Sequence, residues 1–352
     1  MYLKYSDIKA IHFEHTSRCN LLCPQCARVE NGKVNPRLPM SELTINDYKN
    51  ILGKDFAEQL HRVFWCGNYG DSIASNNWLE CAEWIRNSGV QSMQLYTNGS
   101  ARKPDWWEHL AKDVLNREWD YVYFSIDGLE DTNHLYRVNS NWNKIIENVQ
   151  AFINAGGNAR WDYLVFDYNE HQTTKAKELA KELGFKQIMF KETSRFVSNK
   201  QFTSNEKSEM ETKSAKKFNR ILENYGSWDN YIDNTQIECK YQKMQAIYID
   251  FEAKLWPCCW MGPSKYFPDK NIQKPQLNYL TNLYGEDFNS IRNHKLEDII
   301  NHQWYTTKLE DSWKQTLESN NPKLYVCGRT CGTDYEFTSD KRSNLSETHD
   351  LQ

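Results

Sequence analysis

Through the first half of the chain, short β-branched and aromatic runs alternate with longer segments whose apolar residues recur at helical spacing. The strand-like runs lie at residues 10–15, 62–66, 92–96, 121–125, 161–166 and 187–190. Between the first two, Thr44 is placed to cap a helix with Asp47 in its first turn, and Tyr48, Ile51 and Leu52 follow at helical intervals. Over residues 142–155, Ile145, Ile146, Val149, Phe152 and Ile153 fall on one face, and Gly156 and Gly157 stop the run. Residues 175–183 repeat the pattern and end at Gly184. Six β–α units in series predict an α/β fold with a parallel sheet. Right-handed crossovers curl such a series into a partial (β/α)6, TIM-like barrel, with any site at the carboxyl ends of its strands.

The pattern then changes. Residues 1–190 read as the barrel, and residues 191–235, rich in Lys, Glu, Ser and Asn, as a helical linker with solvated faces. Residues 236–335 form a second unit, with a hairpin at 246–251 and 254–256 ahead of Cys258 and Cys259, and a helical stretch at 296–313. Residues 336–352 are polar and expected to fray. No internal repeat or low-complexity tract is visible.

Composition narrows the function. With 13 Trp, 20 Tyr and 15 Phe in 352 residues, the chain has ample apolar surface to bury, which excludes wholesale disorder. Lys and Arg number 43 against 47 Asp and Glu, a net −4, so no basic surface grips nucleic acid by its phosphates. No run approaches the about 18 apolar residues of a membrane span, and residues 1–9 hold no secretory signal. The ten cysteines are therefore expected in the cytoplasm, where metal binding or catalysis is favoured over a disulfide framework.

Cys19, Cys23 and Cys26 follow the first strand as CxxxCxxC. Zinc sites usually take thiols as CxxC-type pairs and close with four ligands, although a structural metal loop is an alternative here. Three thiolates in one loop hold three irons of a cubane cluster and leave the fourth iron open to a small chelating molecule.

On these residues the sequence resembles the radical S-adenosylmethionine superfamily. The resemblance implies a 4Fe–4S cluster on the three cysteines, with S-adenosylmethionine on its open iron. Reductive cleavage of that cofactor yields a 5′-deoxyadenosyl radical, which takes a hydrogen atom from a substrate C–H bond. One departure is Gln25, which stands where the family usually has an aromatic residue near the adenine.

Further motifs follow in the family's order. After the second strand come Gly67, Asn68, Gly70 and Asp71, a glycine-rich turn with a carboxylate suited to the cofactor's ammonium, or simply a turn. Asn98 follows the third strand. Ser125 and Asp127, two apart at the end of the fourth strand, are expected to project together toward ribose hydroxyls. Arg137 matches a family position that pairs with the cofactor carboxylate, while a surface salt bridge is the plainer reading.

A second set, Cys239, Cys258, Cys327 and Cys331, lies beyond the barrel. The arrangement resembles the auxiliary-cluster domain called twitch, a reduced SPASM domain, and implies one further 4Fe–4S cluster; a structural zinc site is the alternative. The family pattern favours Cys258 over Cys259 as ligand, counted from a turn position held here by Ala253 rather than Gly. Cys81 reads as a small buried hydrophobe. Cys66, near the barrel mouth, is either core packing or a hydrogen-atom donor to a substrate radical.

The expectation is a radical S-adenosylmethionine enzyme, an oxidoreductase that performs a net oxidation of a small molecule and passes the leftover electron to the auxiliary cluster. An external one-electron reductant of flavodoxin or ferredoxin type is implied. Alternatives are a peptide- or protein-modifying maturase or epimerase, and a non-catalytic iron–sulfur electron carrier or sensor. Only 18 residues precede Cys19, which favours a small molecule over a leader-bound peptide.

Overall fold

A computed structural model describes residues 2–191, 219–262, 266, 273–333 and 346–351. Six parallel strands follow one another in chain order: β1 (Ala10–Phe13), β2 (Arg62–Trp65), β3 (Ser92–Thr97), β4 (Tyr121–Ser125), β5 (Ala159–Leu164) and β6 (Gln187–Lys191). Each coincides with an apolar run of the sequence to within a residue or two. The connecting helices bury one stripe each. In Trp142–Asn154, Asn141 caps the first turn through Lys144 N, and Ile145, Val149 and Phe152 face the sheet.

Side chains alternate across the strands. Trp65, Phe124 and Trp161 point to the helical layer, where Trp65 meets Trp78 edge-on and Phe124 meets Phe152. His12, Tyr96, Tyr123, Arg160 and Asp162 point the other way, where Tyr96 stacks on Tyr123, Arg160 reaches Tyr123 and Asp162, and His12 meets Phe64. The interior of the curved sheet is therefore polar and aromatic.

Two elements depart from expectation. The hairpin assigned to a separate C-terminal unit continues the barrel sheet. Its first strand, β7 (Ala246–Ile249), pairs parallel to β1 in register, Ala10 opposite Ala246, and β8 (Leu255–Trp256) pairs antiparallel to β7. One core consequently joins barrel residues such as Ile11 and Trp65 to Ile247, Trp304, Leu309 and Val326. At the far edge, part of the tail expected to fray forms β9 (Ser346–Asp350), antiparallel to β6. An open edge offers unpaired N–H and C=O groups, and a polar strand can cover it without needing an apolar face. Most of the linker, residues 192–218, and tail residues 334–345 lie outside the described residues. Among the described residues, no helix is long and apolar enough to cross a membrane.

Candidate functional site

The loop after β1 carries Cys19, Cys23 and Cys26, none of them in a disulfide, at the carboxyl end of the sheet. All three join one apolar cluster with Leu21, Tyr136 and Phe166. Short-range bonds shape the loop. Cys26 N donates to Cys23 O at 3.0 Å, Leu21 N to Cys19 Sγ at 3.4 Å, and Cys26 Sγ to Asn68 O at 3.6 Å. Burial pushes the Cys19 thiol up to about 12, and the Asp71 carboxylate adds to the effect. A neutral, buried thiol of this kind gives up its proton only to a cation that replaces it.

The turn after β2 folds around a residue that the motif reading overlooked. Glu14, fully buried just past β1, accepts from Asn68 N at 2.8 Å, Tyr69 N at 2.6 Å and Gly70 N at 3.4 Å on Oε1. Its Oε2 accepts from Asn68 Nδ2 and Tyr248 Oη. Burial raises the Glu14 carboxyl from 4.5 to about 7 despite these donors. The available signal was a lone carboxylate in the apolar segment Ile11–His12–Phe13–Glu14, which on a strand end demands donors from the next loop. The turn fits tightly: a Cβ on Gly70 would sit 1.7 Å from Thr16 O.

Asp71 lies beneath this turn. Its Oδ2 accepts from Thr97 Oγ1 at 3.0 Å, Asn98 N at 2.8 Å and Asn98 Nδ2 at 2.7 Å, and its Oδ1 accepts from Ile73 N. Asn98 Nδ2 also approaches Cys19 Sγ at 3.8 Å. Asp71 and Asn98 thus join Cys19 to the ends of β2 and β3.

Ser125 and Asp127 do not act as the matched pair expected of them. Ser125 is half-buried at the end of β4, whereas Asp127 is fully buried with both oxygens engaged. Its Oδ1 accepts from Leu164 N at 2.7 Å and its Oδ2 from Arg137 Nε at 2.6 Å. The chain leaves β4 at Ser125, so strict alternation no longer governs Asp127, and the carboxylate turns inward to the nearest donors. Burial works against the Arg137 charge, but Asp127 outweighs it and raises that pKa; Cys23 is also a near neighbour. Arg137 therefore stands beside the three-cysteine loop with one nitrogen committed to Asp127, not in a surface salt bridge.

Inside the barrel, Asp162 receives Arg160 Nε at 2.9 Å and Lys191 Nζ. Arg160 lies over the Tyr123 ring, and Tyr123 stacks on Tyr96 at 4.2 Å. Burial pushes Cys66 up to about 12, while nearby Lys191 draws it down. Neutral His12 is consistent with its pKa, lowered to about 3 by burial. Its Nε2–H donates to Cys66 O and its Nδ1 accepts from Tyr241 Oη. The Tyr241 oxygen is in turn the partner of the Cys259 thiol.

The other cysteines meet beside the barrel. Cys239, Cys258, Cys327 and Cys331 line one cavity together with Tyr2 and Trp313. The Cys331 thiol donates to Cys239, which holds Cys239 down at about 7 and raises Cys331. Burial pushes Cys258 up, against the pull of the Trp260 and Met261 amides. Cys259 turns away to Tyr241, so of the adjacent pair only Cys258 faces the other three thiols. Ala253, in the tight turn before them, has φ +63°, the left-handed backbone that favours glycine. Among the described residues no three His, Cys, Asp or Glu groups converge closely enough to hold a single metal ion.

Residues 13–186 match the family model described as Radical SAM superfamily. Solved structures share the fold. SuiB of Streptococcus suis matches at 12% identity and TM-score 0.51, over 74% of this chain and 66% of its own, just under two thirds of its length. SuiB bound to precursor peptide SuiA gives 13% and 0.53, over 91% and 70%. Native anSMEcpe with bound AdoMet and Cp18Cys peptide gives 13% and 0.54, over 92% and 88%. At these identities the likeness is one of fold. No curated protein sequence matches the chain.

Proposed function

We propose that this chain, which carries a Radical SAM superfamily domain over residues 13–186, holds a 4Fe–4S cluster on Cys19, Cys23 and Cys26 and oxidises a substrate bound in the barrel. The single observation behind this reading is the meeting of three cysteine thiols in one loop with Asn98, Asp71 and Arg137 at the carboxyl ends of the strands. When bound, the cluster and S-adenosylmethionine supply a 5′-deoxyadenosyl radical able to take a hydrogen atom from a C–H bond.

The chain's own residues supply placement. Glu14 fixes the turn of Gly67, Asn68 and Gly70, whose backbone carbonyls would accept from the cofactor's ammonium. Arg137, anchored by Asp127, offers its remaining guanidinium nitrogens to a carboxylate. The rings of Tyr136, Phe166 and Tyr168 pack together beside the loop, Phe166 stacked on Tyr168, and would compensate for Gln25 as an adenine surface. The interior groups Tyr96, Tyr123, Arg160, Asp162 and Lys191 bind and orient substrate away from water. The second thiol set is assigned a 4Fe–4S cluster that accepts the electron left on the substrate after hydrogen removal. The meeting of all four thiols on one cavity supports that assignment. A flavodoxin- or ferredoxin-type protein supplies the electron that starts the reaction.

The test is anaerobic reconstitution followed by dithionite and S-adenosylmethionine. 5′-Deoxyadenosine is expected, and its persistence in the Cys19→Ala, Cys23→Ala and Cys26→Ala variants overturns the assignment. Clusters without any cofactor cleavage would instead identify an electron carrier. A second reading, modification of a peptide, is favoured by the peptides bound to SuiB and anSMEcpe. It predicts a mass change in a peptide encoded near the gene, where the first reading predicts a change in a small metabolite.

A further inference from the structure

The four thiols beside the barrel are not equally provided with donors. The Cys331 thiol, the Tyr2 hydroxyl and the amides of Gln242 and Tyr241 lie against the Cys239 sulfur. The amides of Trp260 and Met261 lie against Cys258, and the Lys240 amide against Cys331. Beside the Cys327 sulfur stands the Trp313 indole.

Two observations single out that indole. Trp313 Nε1 is buried with no properly aligned hydrogen-bond partner. Among the described residues that line the cavity, it is the only one whose side chain leaves a buried nitrogen or oxygen in that state. An indole nitrogen is a donor only, and a buried donor left without an acceptor is costly. Tyr2, also at the cavity, is already committed. Its hydroxyl donates to Pro257 O at 3.0 Å and accepts from Cys239 Sγ at 3.7 Å, so its one proton is spent on a backbone oxygen.

Resting on the reading that these thiols carry an auxiliary 4Fe–4S cluster, we infer that Trp313 donates its indole N–H to a sulfur of that cluster at Cys327 and raises its reduction potential. The cluster gains one negative charge on reduction, and a donor aimed at its sulfur stabilises the reduced form more than the oxidised one. An apolar wall that includes Leu309 and Val326 keeps water from competing for that sulfur. Trp313 is thus a positioning residue that sets how readily the cluster takes an electron from the substrate.

The experiment uses the full chain carrying Cys19→Ala, Cys23→Ala and Cys26→Ala together, so that one cluster remains. About four irons per chain are expected; iron near zero would refute the auxiliary cluster itself, whatever Trp313 does. With the cluster present, Trp313→Phe is compared by EPR-monitored redox titration. A fall in the one-electron equilibrium constant of about tenfold, equivalent to about 59 mV, is expected, with iron content unchanged. An unchanged potential with full iron overturns the role of Trp313 and leaves the cluster standing. If Trp313→Phe cannot hold the cluster, pulsed EPR of the reduced parent decides, with 15N-tryptophan and Trp260→Phe to remove the other indole at the cavity. A 15N coupling supports the bond, and its absence refutes it.

Discussion

Replacing Glu14 by Gln tests whether the carboxyl under the cofactor turn carries a proton near neutral pH. Burial raises it from 4.5 to about 7. Between those values the folded chain keeps a proton that the unfolded chain has released. The stability this contributes is complete below pH 4.5 and is lost as pH rises through 7. Each pH unit in that window removes about 1.4 kcal/mol, about 3 kcal/mol in all. The amide of Gln has the shape of the protonated carboxyl. Its oxygen can accept from the amides of Asn68, Tyr69 and Gly70, and its NH₂ can donate to Tyr248 Oη. Glu14→Gln should therefore fold and lack the loss. Urea unfolding of the metal-free chain at pH 5, 6, 7 and 8 is the assay. Wild type should lose about 2–3 kcal/mol relative to the variant between pH 5 and 8. His12 and His15, lowered to about 3 and about 4 by burial, shed protons on folding and make both proteins more stable as pH rises toward 6.5. That contribution cancels in the difference. Parallel stability curves for the two proteins would refute the reasoning.

The turn itself is open to test by Gly70→Ala, whose Cβ would collide with Thr16 O. Cofactor cleavage should fall at least tenfold while iron on the three-cysteine loop is retained; unchanged 5′-deoxyadenosine formation would contradict the placement. In the auxiliary set, Cys258→Ala should lower iron from about eight to about four per chain, and Cys259→Ala should leave it unchanged. Equal losses would mean that both thiols face the cluster. Deep in the barrel floor, Asp120 pairs with Arg86 at 2.5 Å and accepts from Met93 N at 2.7 Å. Asp120→Ala strands the guanidinium and should cost about 3–5 kcal/mol in chemical denaturation, without changing iron content.

Local sequence carried much of the architecture. The six strands could be located because short runs rich in β-branched and aromatic residues recur between the helical segments, and the helices because one apolar stripe recurs every 3.6 residues. The three-cysteine loop was legible for a similar reason: its thiols lie within eight residues, so the chain need not fold to bring them near one another. Contacts between distant segments were not legible. Glu14 and Tyr248 are 234 residues apart, and nothing local marks either as the other's partner. Asp127 was read by strand alternation, but the strand ends two residues earlier, and the carboxylate's direction follows from donors on β5 and on the segment carrying Arg137. The edge-covering β9 is polar and carries no strand signal of its own; the free edge of β6 determines it. Tertiary packing also separated Cys258 from Cys259, because adjacent side chains in a tight turn diverge and only one of them faces the other thiols. The chain's own pattern thus determined which elements form and where the first thiols gather, while long-range burial decided which polar groups meet, since each buried charge had to find its donors elsewhere in the fold.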